Sequence, residues 1–151
     1  MMKNEMSLEF DSISENEAFA RVVAAAFATR VNPNLEEIDD IKTVVSEAVT
    51  NAIIHGYENG PGKIFMHCMT EGNQVHITIM DRGVGIENIK KAMEPMYTSK
   101  PELERSGMGF SFMETLMDKL EVQSKVGVGT TVKMIKKISH REVSNGQIPM
   151  D

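Results

Sequence analysis

Apolar and polar positions alternate at the start of the chain and then give way to a longer period. Met6, Leu8 and Phe10 stand against Glu5, Ser7 and Glu9, the two-residue repeat of a half-buried strand. A short strand near a terminus suits a sheet edge, and an edge can pair with a second copy, so a homodimer is expected. Ser14, with Glu17 three residues on, reads as a capping box. Phe19, Val22, Val23, Ala26 and Phe27 then recur at helical intervals, and the helix should end before Asn32-Pro33. Glu15, Glu17 and Arg21 fall off that stripe, as solvated residues usually do. Asn34 and Glu37 predict a second capped start. From there a long amphipathic helix runs to Gly56, a residue suited to a left-handed C-cap. Ile38, Ile41, Val45, Ala48 and Ala52 make its apolar stripe. Glu47 and Asn51, four residues apart, share a polar row with His55, roughly 90 to 130° around the helix from that stripe.

The period of two returns after the turn Asn59-Gly60-Pro61-Gly62. Lys63 to Met69 and Gln74 to Met80 read as strands joined by a hairpin at Glu71-Gly72-Asn73. His67 and His76 take outward positions and lack metal-ligand spacing. The second strand runs into Asp81-Arg82-Gly83-Val84-Gly85. A stretch of weak periodicity follows, from about Glu87 to Ser106, and a segment this irregular is usually a functional loop or lid. Ser106-Gly107-Met108-Gly109 opens a third helix with Phe112, Met113, Leu116 and Leu120 on one face. Strands from Leu120 to Lys125 and from Thr130 to Ile138 flank the turn Gly127-Val128-Gly129. Residues 1–138 are expected to form a single domain, and 139–151 a polar, frayed tail.

Composition narrows the function classes. The 151 residues suit one domain, and 41% hydrophobic content is enough for a core. A net charge of −6 argues against a nucleic-acid binder. Thirteen Met and no Trp suggest an adaptable core or contact surface. Cys68 is the single cysteine, cannot form an internal disulfide and reads as a buried structural thiol. No apolar run reaches the roughly 20 residues of a membrane span. The N-terminus is not followed by an apolar signal segment, so a cytoplasmic protein is expected.

The candidate chemistry lies in the order of the motifs. A helix that packs by one side can offer acid and amide from its flank, and an amide oxygen suits Mg²⁺, which keeps waters and phosphate oxygens. Asp81 at a strand end can accept a hydrogen bond from the exocyclic amine of adenine, and Gly83 and Gly85 let a flat ring approach the backbone. Gly107 and Gly109 at a helix N-terminus expose N–H groups to phosphate. Arg105, just before them, can pair with a terminal phosphate through two parallel hydrogen bonds. Each glycine loop alone is also an ordinary turn or cap, whereas their order and spacing after Glu47 and Asn51 are far more specific.

The set resembles the Bergerat-fold ATP-binding superfamily of gyrase, the Hsp90 chaperones, sensor histidine kinases and the mismatch-repair protein MutL. Glu47-x-x-x-Asn51 resembles its N-box. Asp81-x-Gly83-x-Gly85, Gly107-x-Gly109 and Gly127-x-Gly129-Thr130 resemble its three glycine boxes. Asn16-Glu17, Phe19-Ala20-Arg21, Thr43 to Tyr57, the run from Thr98 through Lys100-Pro101 to Phe110, and Gly129-Thr130-Thr131 are similar to the sporulation anti-sigma serine kinases of endospore-forming bacteria. The likeness extends to about Ile138. It implies an α/β two-layer sandwich, with helices on one face of a mixed, mainly antiparallel sheet. ATP and Mg²⁺ would lie between the helices and a lid. It further implies a homodimer that holds a sporulation sigma factor, sigma F, in its ATP-bound state. That dimer also phosphorylates a serine on an anti-anti-sigma partner, which displaces the sigma factor when unphosphorylated. By motif, Glu47 would be the general base, Asn51 the Mg²⁺ ligand and Asp81 the adenine reader. Arg105 would stabilise the γ-phosphoryl group, and Thr130 would support the adenine end. Thr98, Ser106, Gly107, Met108 and Gly109 would hold the nucleotide with Gly83 and Gly85, and Arg21 would dock the protein partners. Arg82 stands where that family often carries an acid, and Ser99 where a threonine is common.

Two other readings account for some of these motifs. One is an ATP-gated sigma-binding module without kinase activity. The other is the detached ATP-binding half of a sensor histidine kinase. It would need a phosphoacceptor histidine in a helical hairpin, and His55, His67, His76 and His140 do not sit in one.

Overall fold

The computed structural model describes residues 2–94 and 109–139. Strands β1 (Lys3–Asp11), β2 (Lys63–Glu71), β3 (Gln74–Asp81), β4 (Lys119–Lys125) and β5 (Gly129–Lys137) form one sheet in the order β1-β2-β3-β5-β4. Every pairing in it is antiparallel, so among the described residues the sheet is not the mixed one that the resemblance implies. Helices α1 (Glu15–Ala28), α2 (Leu35–Asn51) and α4 (Gly109–Leu116) contribute to the core on one face of the sheet. A four-residue helix α3, Ile89–Ala92, interrupts the stretch read as irregular, with Asn88 accepting the Lys91 N–H at its start.

The register explains which face is dry. Phe10, Ile64, Asp81 and Thr130 align across four strands, and so do Leu8, Met66, Ile79 and Val132. Ile64, Met66, Cys68, Val75, Ile77, Ile79, Val132 and Met134 are buried together with Ile41, Val45, Ala48 and Val49 of α2. His67, His76 and Lys133 point to the other face, as the alternation requires. Burial pushes the Cys68 thiol up to about 12, which fits the structural role expected of it. The hairpin between β2 and β3 turns in two residues, with Glu71 paired to Gln74 and Gly72 at φ 60°.

Helix α1 departs from its expected orientation. Ala20, Ala24, Ala25 and Ala28 are buried, while Phe19 is 52% and Val22 57% exposed. The small side chains let α1 lie close to α2, and the bulky stripe is turned partly to solvent. Ser14 makes no cap hydrogen bond. Glu17 is taken instead by Arg21 at 3.0 Å and by the hydroxyl of Ser46 on α2. The second capping box does form: Asn34 Oδ1 accepts the Glu37 N–H at 2.7 Å, and Glu37 Oε1 accepts the Asn34 N–H at 2.9 Å. The other oxygen of Glu37 accepts the Ser139 N–H at 2.7 Å, so the first tail residue is tied down. Residues 140–151 lie outside the described part. Lys136 joins three elements, donating to the Leu116 carbonyl at the end of α4 at 2.7 Å and pairing with Asp40 of α2 at 3.1 Å. Leu120, expected on the third helix, belongs to β4 because the helix stops at Leu116.

The register makes a direct prediction. Ile77→Ala removes a fully buried side chain and should cost about 2–5 kcal/mol in urea unfolding, against about 0.5 kcal/mol or less for its outward neighbour His76→Ala. Equal costs would contradict the assigned faces.

Candidate functional site

The last turn of α2 builds one wall of the site. Asn51 closes the α-helix, and the next residues, Ala52–Gly56, widen into a π-turn. Tyr57 N–H reaches the Ala52 carbonyl at 2.8 Å, and Asn59 N–H the Ile53 carbonyl at 2.9 Å. Gly56 is not the left-handed cap expected; Glu58 and Asn59 take that conformation, with φ of 53° and 62°. Glycine is required at 56 for a different reason: a Cβ there would sit 2.9 Å from the carboxylate of Asp81.

The end of β3 docks against that turn. A Cβ on Gly83 would lie 2.0 Å from the Gly56 carbonyl oxygen, and this same oxygen accepts the Val84 N–H at 2.9 Å. Asp81 is buried, at 6% exposure, and its Oδ1 accepts the Gly83 N–H at 2.9 Å. Loss of water raises its pKa above the usual carboxylate value, partly offset by the backbone hydrogen bonds from Gly83 and Thr130. Arg82, next in sequence, goes the other way. Its guanidinium stacks 4.9 Å over the ring of Phe65, a residue of the outward row of β2, and its backbone N–H is accepted by the Tyr57 hydroxyl at 2.7 Å. The charge that departs from the resembled family thus stands on the far face of the sheet.

Between these elements lies a cleft of about 940 Å³, within the size range of small-molecule sites. Asn51, Asp81, Gly85, Gly109 and Thr130 all line it, and His55 joins them. Gly83 sits behind Gly85, in the contact with Gly56. Among the described residues no hydrogen bond occupies the Asn51 carboxamide, which leaves its oxygen open to a cation. No cluster of three or more His, Cys, Asp or Glu suited to a metal occurs among the described residues. Glu47 is half-buried one turn before Asn51 and is not part of the cleft wall. Arg21 lies on α1, paired with Glu17. Thr98, Arg105, Ser106, Gly107 and Met108, and Ser99 with them, lie outside the described residues. Sequence reasoning missed Lys90 and Lys91, which line the cleft from α3 with positive charge suited to an anion, and Ser124, which lines it from β4. Ser124 carried a signal: it is the polar member of the inward row Leu120, Val122, Ser124.

Comparison with known proteins agrees with this geometry. Residues 12–136 match the family described as "Histidine kinase-like ATPase domain". Fold and site therefore define an ATPase domain of the histidine kinase-like class. Within that class, the anti-sigma F factor of Anoxybacillus flavithermus is 57% identical over 139 residues, covering 91% of this chain and 95% of that protein. Those of Clostridium acetobutylicum and Oceanobacillus iheyensis are 57% and 58% identical, covering 92% and 91% of this chain and 97% and 95% of their own. The chain belongs to the anti-sigma F factor family. A solved structure of the RsbU and RsbW domains of a Mycobacterium tuberculosis protein has the same fold, with a TM-score of 0.65 at 18% identity. The match covers 91% of this chain and 33% of that one. No helix among the described residues is long and apolar enough to cross a membrane.

The buried carboxylate generates a prediction. A folded-state pKa above the unfolded value means that Asp81 favours folding most in acid and progressively less as pH rises through its folded pKa. Asp81→Asn should therefore leave the melting temperature at pH 7 unchanged or higher, with the gain over wild type shrinking towards pH 4. It should weaken ATP binding by about 10- to 100-fold, the loss of one hydrogen bond to a charged group. Calorimetry at both pH values and an ATP titration check the two halves. A large loss of stability at neutral pH would contradict the assigned burial.

Proposed function

We propose that this chain is an ATP-gated anti-sigma factor and protein serine kinase. It would bind and inhibit a sporulation sigma factor, sigma F, in its ATP-bound form and phosphorylate a serine of an anti-anti-sigma partner. The observation that carries the reading is the meeting of Asn51, Asp81 and Thr130 at one cleft where glycine-bearing loops leave backbone exposed. Asp81 accepts from the adenine amine, with Thr130 beside it. Asn51 offers its oxygen to Mg²⁺, which when bound neutralises phosphate charge. Lys90 and Lys91 add positive charge at the cleft edge. Glu47 takes the proton of the incoming serine hydroxyl. Arg105, Gly107 and Gly109 are assigned to the phosphates, and Thr98, Ser106 and Met108 to holding the nucleotide. Residues 1–138 act as one unit in the cytoplasm, as a homodimer.

The surface of α1 supports a protein-docking role. Arg21 is only partly buried on α1, and the same helix exposes Phe19 and Val22, apolar side chains of a kind found at interfaces. A second reading, an ATP-gated sigma-binding module without kinase activity, has one observation in its favour: Glu47 stands outside the cleft wall.

Labelled ATP separates the two. With the anti-anti-sigma partner present, the unaltered chain should transfer label to a partner serine. Glu47→Ala should bind ATP normally and transfer about 10²- to 10⁴-fold more slowly. Full transfer by that variant removes Glu47 from the chemistry. No transfer by the unaltered chain leaves the module reading.

A further inference from the structure

Ser124 lies where three parts of the cleft meet. Its hydroxyl accepts the N–H of Ile86, the residue after Gly85, at 2.7 Å. It donates to the Gly129 carbonyl at 3.0 Å, and Thr130 Oγ1 lies 2.8 Å away. A serine hydroxyl has one proton and two lone pairs. Either hydroxyl can be the donor between Ser124 and Thr130, but all three contacts are hydrogen bonds at once only when Ser124 gives its proton to Gly129, accepts from Ile86 and takes the proton of Thr130. Thr130 is 8% exposed and lines the cleft, so with its proton turned to Ser124 it presents only lone pairs to whatever enters. Its partner in register is Asp81, whose carboxylate also only accepts.

We propose that Ser124 is a specificity-determining positioning residue: by drawing the proton of Thr130 away from the cleft, it leaves the base end with acceptors alone. Such an end selects a purine with an exocyclic amine at position 6. A 6-oxo purine would offer its ring N–H to Asp81 but bring its carbonyl oxygen against a hydroxyl with no proton to give. This rests on the reading of the cleft as a nucleotide site and adds the means by which the base is chosen. Discrimination of this kind is large when buried polar groups are left mismatched.

The test is competition of ATP and ITP against a fluorescent ATP analogue on the full chain, with magnesium present. The unaltered chain should prefer ATP. Ser124→Ala frees the Thr130 hydroxyl to rotate and donate, so the ATP:ITP ratio should shrink by about tenfold, the worth of one hydrogen bond. Thr130→Val should shrink it comparably, and Ser124→Ala added to Thr130→Val should change it no further, because the serine acts through the threonine. Ser124→Thr, which keeps a hydroxyl, should restore the ratio. Equal weakening of both nucleotides by Ser124→Ala, with the ratio intact, would mean a merely structural serine and overturn the inference. If Ser124→Ala fails to fold, Thr130→Val decides alone: an unchanged ratio overturns it. Absence of ATP binding by the unaltered chain overturns the nucleotide reading and this inference with it, whereas ATP binding with a flat ratio overturns this inference only.

Discussion

Two backbones touch where the last turn of α2 meets the end of β3, and the site exists because nothing separates them. Gly83 has no room for a Cβ against the Gly56 carbonyl, and Gly56 has none against the Asp81 carboxylate. The contact is closed by the Val84 N–H bonded to the Gly56 oxygen. It holds the carboxamide of Asn51 and the carboxylate of Asp81 on the walls of one cleft. A methyl group at Gly83 would push the helix end from the strand end, and one at Gly56 would displace the Asp81 carboxylate. The β4–β5 hairpin is drawn into the same junction. Gly129, at φ 139°, passes so close that a Cβ would lie 2.1 Å from the Asp81 carbonyl oxygen.

Around that junction one face of the sheet does two kinds of work, since the row of Phe10 and Ile64 also carries Asp81 and Thr130. The dry face of the sheet and the alanine seam between α1 and α2 supply stability through non-directional burial. The cleft side holds what burial opposes: a carboxylate with its pKa raised, an open carboxamide and a chain of hydroxyls. Lys136 fastens the end of α4 and Asp40 of α2 to β5. The C-terminal end of α4 is thereby anchored, while its N-terminal Gly109 opens on the cleft.

Much of this was legible in the sequence because it is local. Alternation in Met6, Leu8 and Phe10, the Asn34–Glu37 cap and the Gly72 turn each depend on a few neighbouring residues, and each formed. Asn51, Asp81 and Thr130 were placed by motif order, and the fold brings them to one cleft. The failures share a cause, competition from residues distant in sequence. Ser14 does not cap because its own backbone is already helical and its carbonyl, not its hydroxyl, takes the Glu17 N–H, while the Glu17 carboxylate is held by Arg21 and by Ser46, 29 residues away. The inward face of α1 is the alanine face because α2 covers it closely, which periodicity within α1 alone cannot decide. Gly56 looked like a cap because a helix ended there, but its requirement comes from Asp81, 25 positions later in the chain. Ser124 showed in the sequence only as a polar break in an inward row, because its role comes from Ile86, Gly129 and Thr130 together.

The π-turn at Ala52–Gly56 has a consequence for how such a protein can diverge. Up to Asn51 the rotational phase of α2 is dictated by Ile41, Val45, Ala48 and Val49, which must seat in the core. Beyond it, the phase is dictated by the carboxylate that Gly56 must accommodate. A wider turn absorbs the angular mismatch between these two demands, much as a compensating joint lets two rigid shafts meet off-axis. Core residues can therefore drift in size and shape over evolutionary time without swinging the cleft out of alignment.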